Sequence, residues 1–183
     1  RDTAGEVGPV PQMTMRTRLY SLVPLIFGFN FGTALDATVE LELGTRATYL
    51  KELEKKELSL NDCNQKIECE SVVLRLLERE VALRIAHAAF RPRQEFGEFH
   101  RAWQDAGLTV FQVLLQIKRR LIPGRNLLLI VDEVSKTHFP GKTRDVIYNA
   151  WFGGERNQNG RIVLTSLSPT ELIEGGGISG RCK

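Results

Sequence analysis

Five consecutive aliphatic residues followed at once by two acids make up residues 127–133 (LLLIVDE). An aliphatic run without polar alternation is typical of a strand that is buried on both faces, as in the middle of a parallel sheet. Asp132 and Glu133 then stand where the carboxyl end of that strand would emerge. Because ligands of open α/β sheets bind at this edge, the two carboxylates are the first candidates for chemistry.

Asp132 and Glu133 match the two acids of a Walker B element of the Asp-Glu type. In that interpretation Asp132 holds a Mg²⁺ ion that carries nucleotide phosphates, and Glu133 orients or deprotonates an attacking water. The alternative is a core strand that ends in a solvated acidic turn. The strand by itself does not decide between the two, because such a motif needs its structural context.

Composition describes one folded domain. The chain has 183 residues, 42% of them hydrophobic and 26% charged, which is enough for a domain with a core. Its formal net charge of +3, with both signs interspersed, does not indicate nucleic acid or an anionic membrane as a partner. No apolar run approaches the roughly 20 residues of a membrane span.

Cys63, Cys69 and Cys182 lack CxxC or zinc spacing, so reduced structural thiols and an intracellular location are expected.

The first part of the chain is predicted to contain an arm and a strand. Residues 1–18 carry several Gly and Pro residues without periodicity and are predicted to be a flexible arm, and one domain is predicted from 19 to 183. The apolar, β-branched and aromatic stretch 19–29 predicts a first strand. Residues 37–43 alternate polar and apolar side chains, which favours a short, half-exposed strand.

The middle of the chain has helical periodicity. The longest helix is predicted over residues 69–90, where apolar side chains keep helical spacing until Pro92 follows. Shorter helices are predicted over 47–56 and 96–106, and Thr109 is placed to cap another.

The second half of the chain alternates helix and strand. A helical stripe over residues 144–152 follows the 127–133 strand, and residues 161–165 (RIVLT) predict the next strand. This alternation predicts right-handed crossovers and a mainly parallel sheet.

Two hydroxyl residues, Thr165 and Ser166, end that last strand. A parallel sheet would bring them to the same edge as Asp132 and Glu133. Many ATPases carry a polar residue there, called sensor 1, which contacts the γ-phosphate or the attacking water. Thr165 and Ser166 are therefore candidate nucleotide-binding residues, and Ser166 is also a candidate catalytic residue. The alternative is a strand that runs into a Ser/Thr-Pro turn.

A complete phosphate-binding loop is missing from the sequence. A Walker A motif needs Gly, four residues and then Gly-Lys-Ser/Thr, directly after a strand and at the start of a helix. Gly141, Lys142 and Thr143 supply only the second half of that motif, since Lys136 stands where the first glycine belongs and no predicted strand leads into the loop. We interpret this match as a coincidence.

Five stretches carry a family resemblance: 23–30 (VPLIFGFN), 78–85 (EREVALRI), 128–136 (LLIVDEVSK), 162–168 (IVLTSLS) and 178–181 (ISGR). They resemble the ATPase domain of Crinkler-type effectors and of retrotransposon hot spot proteins, with the Asp-Glu strand as the specific motif. The resemblance implies a three-layer α/β P-loop NTPase-like core, with Asp132 on Mg²⁺ and Glu133 as the residue that activates water.

The resemblance also implies that the family's Walker A motif would precede residue 1. Residues 19–183 are then expected to form the Walker B and sensor half of a P-loop NTPase domain that is incomplete at its N-terminus. The expected function is Mg²⁺-dependent ATP binding and hydrolysis within a larger protein, with this chain inactive alone. The competing hypothesis is a degenerate NTPase fold that serves as a non-catalytic interaction module for a protein partner or a second copy. A relation to secreted effectors would further suggest action in a host-cell nucleus.

Overall fold

The computed structural model of the protein describes residues 22–29, 37–152 and 160–165. The predicted arm at 1–18 lies outside them. The described residues form, in chain order, β1 (Leu22–Gly28), α1 (Ala37–Leu53), α2 (Leu60–Phe90), α3 (Phe96–Trp103), α4 (Val110–Arg120), β2 (Asn126–Asp132), a 3₁₀ turn (Val134–Lys136), α5 (Pro140–Phe152) and β3 (Gly160–Leu164). None of these helices is both long and apolar enough to cross a membrane.

The three strands form one parallel sheet in the order β1-β2-β3. Leu129 in the middle of β2 pairs with Leu25 on one side and Ile162 on the other. The α/β class and the parallel sheet predicted from the alternation of helices and strands are therefore confirmed. Since the strands run in one direction, their carboxyl ends lie at one edge, which carries Asp132.

The helices cover one face of this sheet. Leu127, Leu129 and Val131 of β2 are buried on that face. On the opposite face Leu128 and Ile130 of β2 are half-buried, and on the neighbouring strands Ile26 is 61% exposed and Val163 is 44% exposed. The LLLIVDE strand is therefore fully buried on the face under the helices, as predicted, but only half-buried on the opposite face. An all-aliphatic run cannot distinguish a strand with two covering layers from a strand with one.

The strand order explains why the described helices lie together. Connections between parallel strands are right-handed, and two successive connections that step in the same direction along the sheet place their helices on the same face. The order β1-β2-β3 steps in one direction only. The described residues thus supply one sheet and one helical layer, and the third layer stays a prediction.

Helix α1 replaces the short strand predicted at residues 37–43. Val39, Leu43 and Leu50 of α1 are buried and pack with the first half of α2. Residues 39, 43 and 50 share one face of a helix, whereas the alternation over 37–43 would also suit a strand. The strand prediction was wrong because seven residues are compatible with both the two-residue period of a strand and the 3.6-residue period of a helix. The buried positions farther along the chain follow the helical period.

Helix α2 begins nine residues before the predicted start at residue 69. Ser59 caps it: its hydroxyl accepts from the Asp62 N–H at 3.2 Å, and the Asp62 carboxylate accepts from the Ser59 N–H at 3.1 Å. Such a capping box satisfies two backbone donors at a helix start, so the helix extends to it despite the polar first turns. Thr109 and Gln112 form a second capping box that starts α4, which confirms Thr109 as its N-cap.

A seven-residue segment in the second half of α2 is buried on all sides. Residues 80–86 are buried without interruption, because this part of the helix packs against β1, α3, α4 and α5. Leu83 and Ile85 are wholly inaccessible, and they join the core formed by the sheet and the later helices. This packing also draws two charged side chains, Glu80 and Arg84, into the interior.

The capping box of α2 predicts an acid-sensitive contribution to stability. The Ser59 hydroxyl, followed by the Lys56 ammonium, lowers the pKa of Asp62 from its ordinary 3.8 to about 2. On acidification the unfolded chain therefore takes up this proton before the folded chain does. The stability that the ionised Asp62 carboxylate contributes is fully present above pH 3.8 and is lost as the pH falls through about 2. We expect Asp62→Asn to reduce the acid-induced loss of stability across this window in urea unfolding. Asp105→Asn, at an exposed position outside any capping box, should leave that loss unchanged. Equal pH profiles for Asp62→Asn and the wild type would contradict the role of the cap.

Candidate functional site

Asp132 and Thr165 meet at the carboxyl edge of the sheet. Asp132 is the last residue of β2 and is exposed, while Thr165 follows directly after β3. The Thr165 hydroxyl donates to Asp132 Oδ1 and accepts from the Glu133 N–H at 3.2 Å. The structure thus places Thr165 beside the two acids, where the parallel sheet predicts it to lie.

Backbone hydrogen bonds hold this contact in place. The Thr165 N–H donates to the Val131 carbonyl at 2.9 Å, and the Val134 N–H donates to the Thr165 carbonyl at 3.2 Å. These bonds continue the β2–β3 pairing past the end of both strands. Because Thr165 is fixed by its main chain, its hydroxyl reaches Asp132 without a mobile loop between them.

Glu133 has a left-handed backbone, with φ 56° and ψ 40°. A residue with a Cβ atom pays about 1–3 kcal/mol for such a conformation, which the surrounding structure must offset. The carboxylate of Glu133 is 2.7 Å from Lys136 Nζ, and both side chains are partly buried. Glu133 is therefore held by a strained turn and a cation, and does not extend freely into solvent.

Sequence reasoning missed the role of Lys136. No element is predicted between Glu133 and the helical stripe at residues 144–152, and a three-residue spacing brings two side chains together only if the backbone turns helically. The 3₁₀ turn at Val134–Lys136 supplies that geometry. The signal available in the sequence was the oppositely charged pair itself, at positions i and i+3.

The end of β1 lies on the other side of Asp132. Gly28 pairs with Asp132 in the register, and the Phe29 N–H donates to the Asp132 carbonyl at 3.2 Å. A Cβ atom at Gly28 would lie 3.6 Å from the Asp132 Cβ. A Cβ atom there would be in ordinary van der Waals contact with Asp132, so glycine keeps a β1 side chain away from Asp132.

This edge can hold Mg²⁺ only in a limited way. No group of three or more His, Cys, Asp or Glu residues is placed to bind a metal ion in the part of the chain that the structure describes. Mg²⁺ bound to nucleotides usually keeps several waters and takes one or two carboxylates together with phosphate oxygens. One oxygen of Asp132 accepts from Thr165, and the exposed carboxylate has a second oxygen. The donor set fits a hydrated ion shared with a ligand, and it does not form a metal cage by itself.

The Gly-Lys-Thr triplet is part of a different structural feature. Gly141, Lys142 and Thr143 lie in the first turn of α5, which follows the 3₁₀ turn and not a strand. Lys142 pairs with Glu70 at 3.3 Å, and the buried Thr143 hydroxyl is 3.1 Å from that of Thr137. Both side chains thus have structural partners, in agreement with the interpretation that the match is a coincidence.

A groove of about 680 Å³ between α1 and α2 lies apart from the sheet edge. Its polar side chains bond to one another: Arg46 pairs with Glu42 at 3.1 Å, and the Tyr49 hydroxyl donates to Gln65 at 2.6 Å. Cys69, a buried free thiol, also lines the groove. Because these groups satisfy each other, the groove does not identify a ligand.

Ser166, one of the predicted site residues, falls outside the described residues, as does the 178–181 stretch of the family resemblance. Comparison of the chain with protein-family models, with curated proteins and with solved structures found no match.

Proposed function

We propose that this chain supplies the metal-binding and water-activating half of a Mg²⁺-dependent ATP hydrolysis site of the P-loop NTPase type. The observation that supports the proposal is the Asp132–Thr165 pair at the carboxyl edge of two adjacent parallel strands, with Glu133 next in the chain. Carboxylate and hydroxyl oxygens at this edge suit a hydrated Mg²⁺ and the phosphates it carries. The parent protein would act as an ATPase or an ATPase-like effector.

Asp132 and Thr165 would divide the binding role. Thr165 donates to Oδ1 of Asp132, which fixes the rotation of the carboxylate and leaves Oδ2 for the ion or one of its waters. A bound Mg²⁺ would neutralise charge on the phosphates. Thr165 and Ser166 are the proposed nucleotide contacts from the β3 side.

Glu133 would act on the attacking water. A carboxylate within hydrogen-bond reach of a water can align it and accept its proton. Lys136, 2.7 Å from the Glu133 carboxylate, would hold that carboxylate in one orientation until a water or nucleotide competes for it. Ser166 remains the proposed second catalytic residue.

The phosphate-binding loop would come from outside residues 1–183, because the sequence contains no complete Walker A motif. Without backbone amides and a lysine around the β- and γ-phosphates, most of the positioning and charge stabilisation is missing. The 183-residue chain alone is therefore expected not to hydrolyse ATP measurably.

A non-catalytic interaction module is the second candidate function. Two observations favour it: both carboxylates already have partners within the chain, and the sheet face opposite the helices exposes Ile26 and Val163. A protein partner or a second copy of the chain could cover that face.

Mg²⁺-dependent nucleotide binding tests the choice between these functions. In the intact protein that contains this chain, Asp132→Asn should weaken ATP binding about tenfold or more in Mg²⁺ and leave binding in EDTA unchanged, because an amide is a poorer partner for a hard cation. Asp105→Asn serves as the matched control, since Asp105 is an exposed aspartate elsewhere on the surface. If Asp132→Asn binds ATP like the wild type at every Mg²⁺ concentration, the interaction module becomes the better proposal.

A further inference from the structure

An ion cluster lies inside the protein behind the candidate site. The side chains of Glu80 and Arg84 are 3% and 4% exposed, and that of His100 is inaccessible. Glu80 Oε1 accepts from Arg84 Nε, and Glu80 Oε2 lies 3.1 Å from His100 Nε2. Burying such groups is costly, and apolar side chains of similar volume often stabilise a core equally well or better. Stability alone therefore gives no reason for this cluster.

Arg84 extends from the cluster to the end of β1. Its Nη1 donates to the Gly28 carbonyl at 2.7 Å, across 56 positions of sequence. Its guanidinium lies over two aromatic rings, 5.0 Å from the centroid of Phe29 and 4.7 Å from that of Phe96. Two cation–π contacts and a hydrogen bond to the Gly28 carbonyl hold the guanidinium in place. Arg84 thereby fixes the last residue of β1 and the residue after it.

The residue after β1 contacts Asp132 directly. The Phe29 N–H donates to the Asp132 carbonyl at 3.2 Å, and Gly28 is the register partner of Asp132. Strand ends usually open more readily than strand centres, because they lack neighbours on one side. The contacts of Arg84 with Gly28 and Phe29, which we call the clamp, oppose that opening on the β1 side of the candidate site. On the β3 side, Thr165 is hydrogen-bonded to Asp132 and Glu133.

We infer that Arg84 is a positioning residue for Asp132, held in place by Glu80 and His100. The inference rests on the proposed function in one respect, namely that Asp132 is the group whose position matters. Arg84 does not touch the ligand site in this scheme. Arg84 acts on Asp132 through Gly28 and Phe29. Its ion pair with Glu80 holds the guanidinium next to the end of β1.

A buried histidine, His100, lies beside Glu80. His100 comes from α3, and its ring nitrogens make no aligned hydrogen bond within the described residues, although Nε2 is within ion-pair distance of Glu80. His100 also packs edge-on against Phe96, the ring that stacks on Arg84. Helix α3 is therefore tied to the clamp by two contacts, one polar and one aromatic.

Amide hydrogen exchange of the 183-residue protein tests this inference. The double variant Glu80→Met/Arg84→Met removes the Glu80–Arg84 ion pair as a unit, so neither member of the pair is left buried without the other. We expect it to melt cooperatively, while the Phe29 amide exchanges at least tenfold faster relative to the Leu129 amide at the centre of the sheet. Arg84→Lys, which keeps the charge but loses the planar guanidinium, should show the same selective change if the double variant does not fold.

A matched control separates positioning from general destabilisation. Ile117→Val removes one methyl group from the buried face of α4, a helix that makes no extensive contact with β1, and should not change the ratio of Phe29 to Leu129 exchange. In the intact protein, Arg84→Lys should also raise the Mg²⁺ concentration needed for half-maximal ATP binding severalfold. A Phe29-to-Leu129 exchange ratio equal to that of the wild type in both Arg84 variants would overturn the inference. Selective Phe29 exchange in a protein whose ATP binding ignores Mg²⁺ would support the clamp and overturn the proposed function.

Discussion

Replacing Glu133 with Gln should lower the rate of ATP hydrolysis by the intact protein by roughly 10²–10⁴-fold, the loss typical of removing a positioned base. Glutamine keeps the size and shape of the side chain but cannot accept a proton from water. It also removes the ion pair between Glu133 and Lys136 at 2.7 Å. ATP should still bind, because the proposed binding residues, Asp132 and Thr165, are unchanged. Single-turnover hydrolysis and equilibrium binding, measured on the same preparation, separate the two effects.

Glu70→Gln provides the matched control for this experiment. Glu70 is also partly exposed and also pairs with a lysine, Lys142, at 3.3 Å, but it lies on α2 away from the sheet edge. Its replacement should leave hydrolysis unchanged. Normal hydrolysis by Glu133→Gln would contradict the catalytic role of Glu133, and loss of folding in that variant would assign Glu133 a structural role in its turn.

Replacing Leu129 with Ala should lower the free energy of unfolding by about 2–5 kcal/mol, the range found for large-to-small changes in cores. Leu129 is wholly inaccessible, and it lies between β1 and β3 beneath the helices. Ile26→Ala removes a side chain of the same size from the neighbouring strand, but from the open face, where the side chain is 61% exposed. That change should cost about 0.5 kcal/mol or less, as for most surface substitutions. Urea unfolding of both variants measures the difference.

The comparison of these two variants also tests the layer structure. A similar loss of stability in Leu129→Ala and Ile26→Ala would mean that both faces of the sheet are covered in solution. That result would restore the three-layer arrangement expected from the family resemblance. A large difference would mean that the face opposite the helices is open in this protein.

The edge of the sheet could be predicted because its signals are local. The aliphatic run before Asp132 identifies a buried strand, and the alternation of helix and strand places Thr165 at the same edge. Each inference needs only the period of a strand and the direction of its neighbours.

Features that depend on distant contacts could not be predicted in this way. Glu80 and Arg84 at positions i and i+4 would normally indicate an exposed helical pair, and nothing in their spacing shows that Arg84 reaches Gly28. The left-handed backbone of Glu133 is likewise invisible in the sequence, because a glutamate gives no turn signal. Coverage of one sheet face depends on the strand order, which emerges only when the whole sheet is assembled.

The pairing of β1 with β2 determines when the candidate site can form during folding. Leu22 pairs with Asn126, about a hundred positions away, whereas α1 and α2 are neighbours in the chain. Contacts of long sequence separation require closure of a large loop and slow the folding of a chain. We expect the two helices to gain protection early in refolding and the β1–β2 edge to gain it last, which pulse-labelling during refolding can follow. Protection of the strands before the helices would contradict this order. The acids at the edge would then acquire their β1 neighbours only in the final step of folding, when β1 pairs with β2.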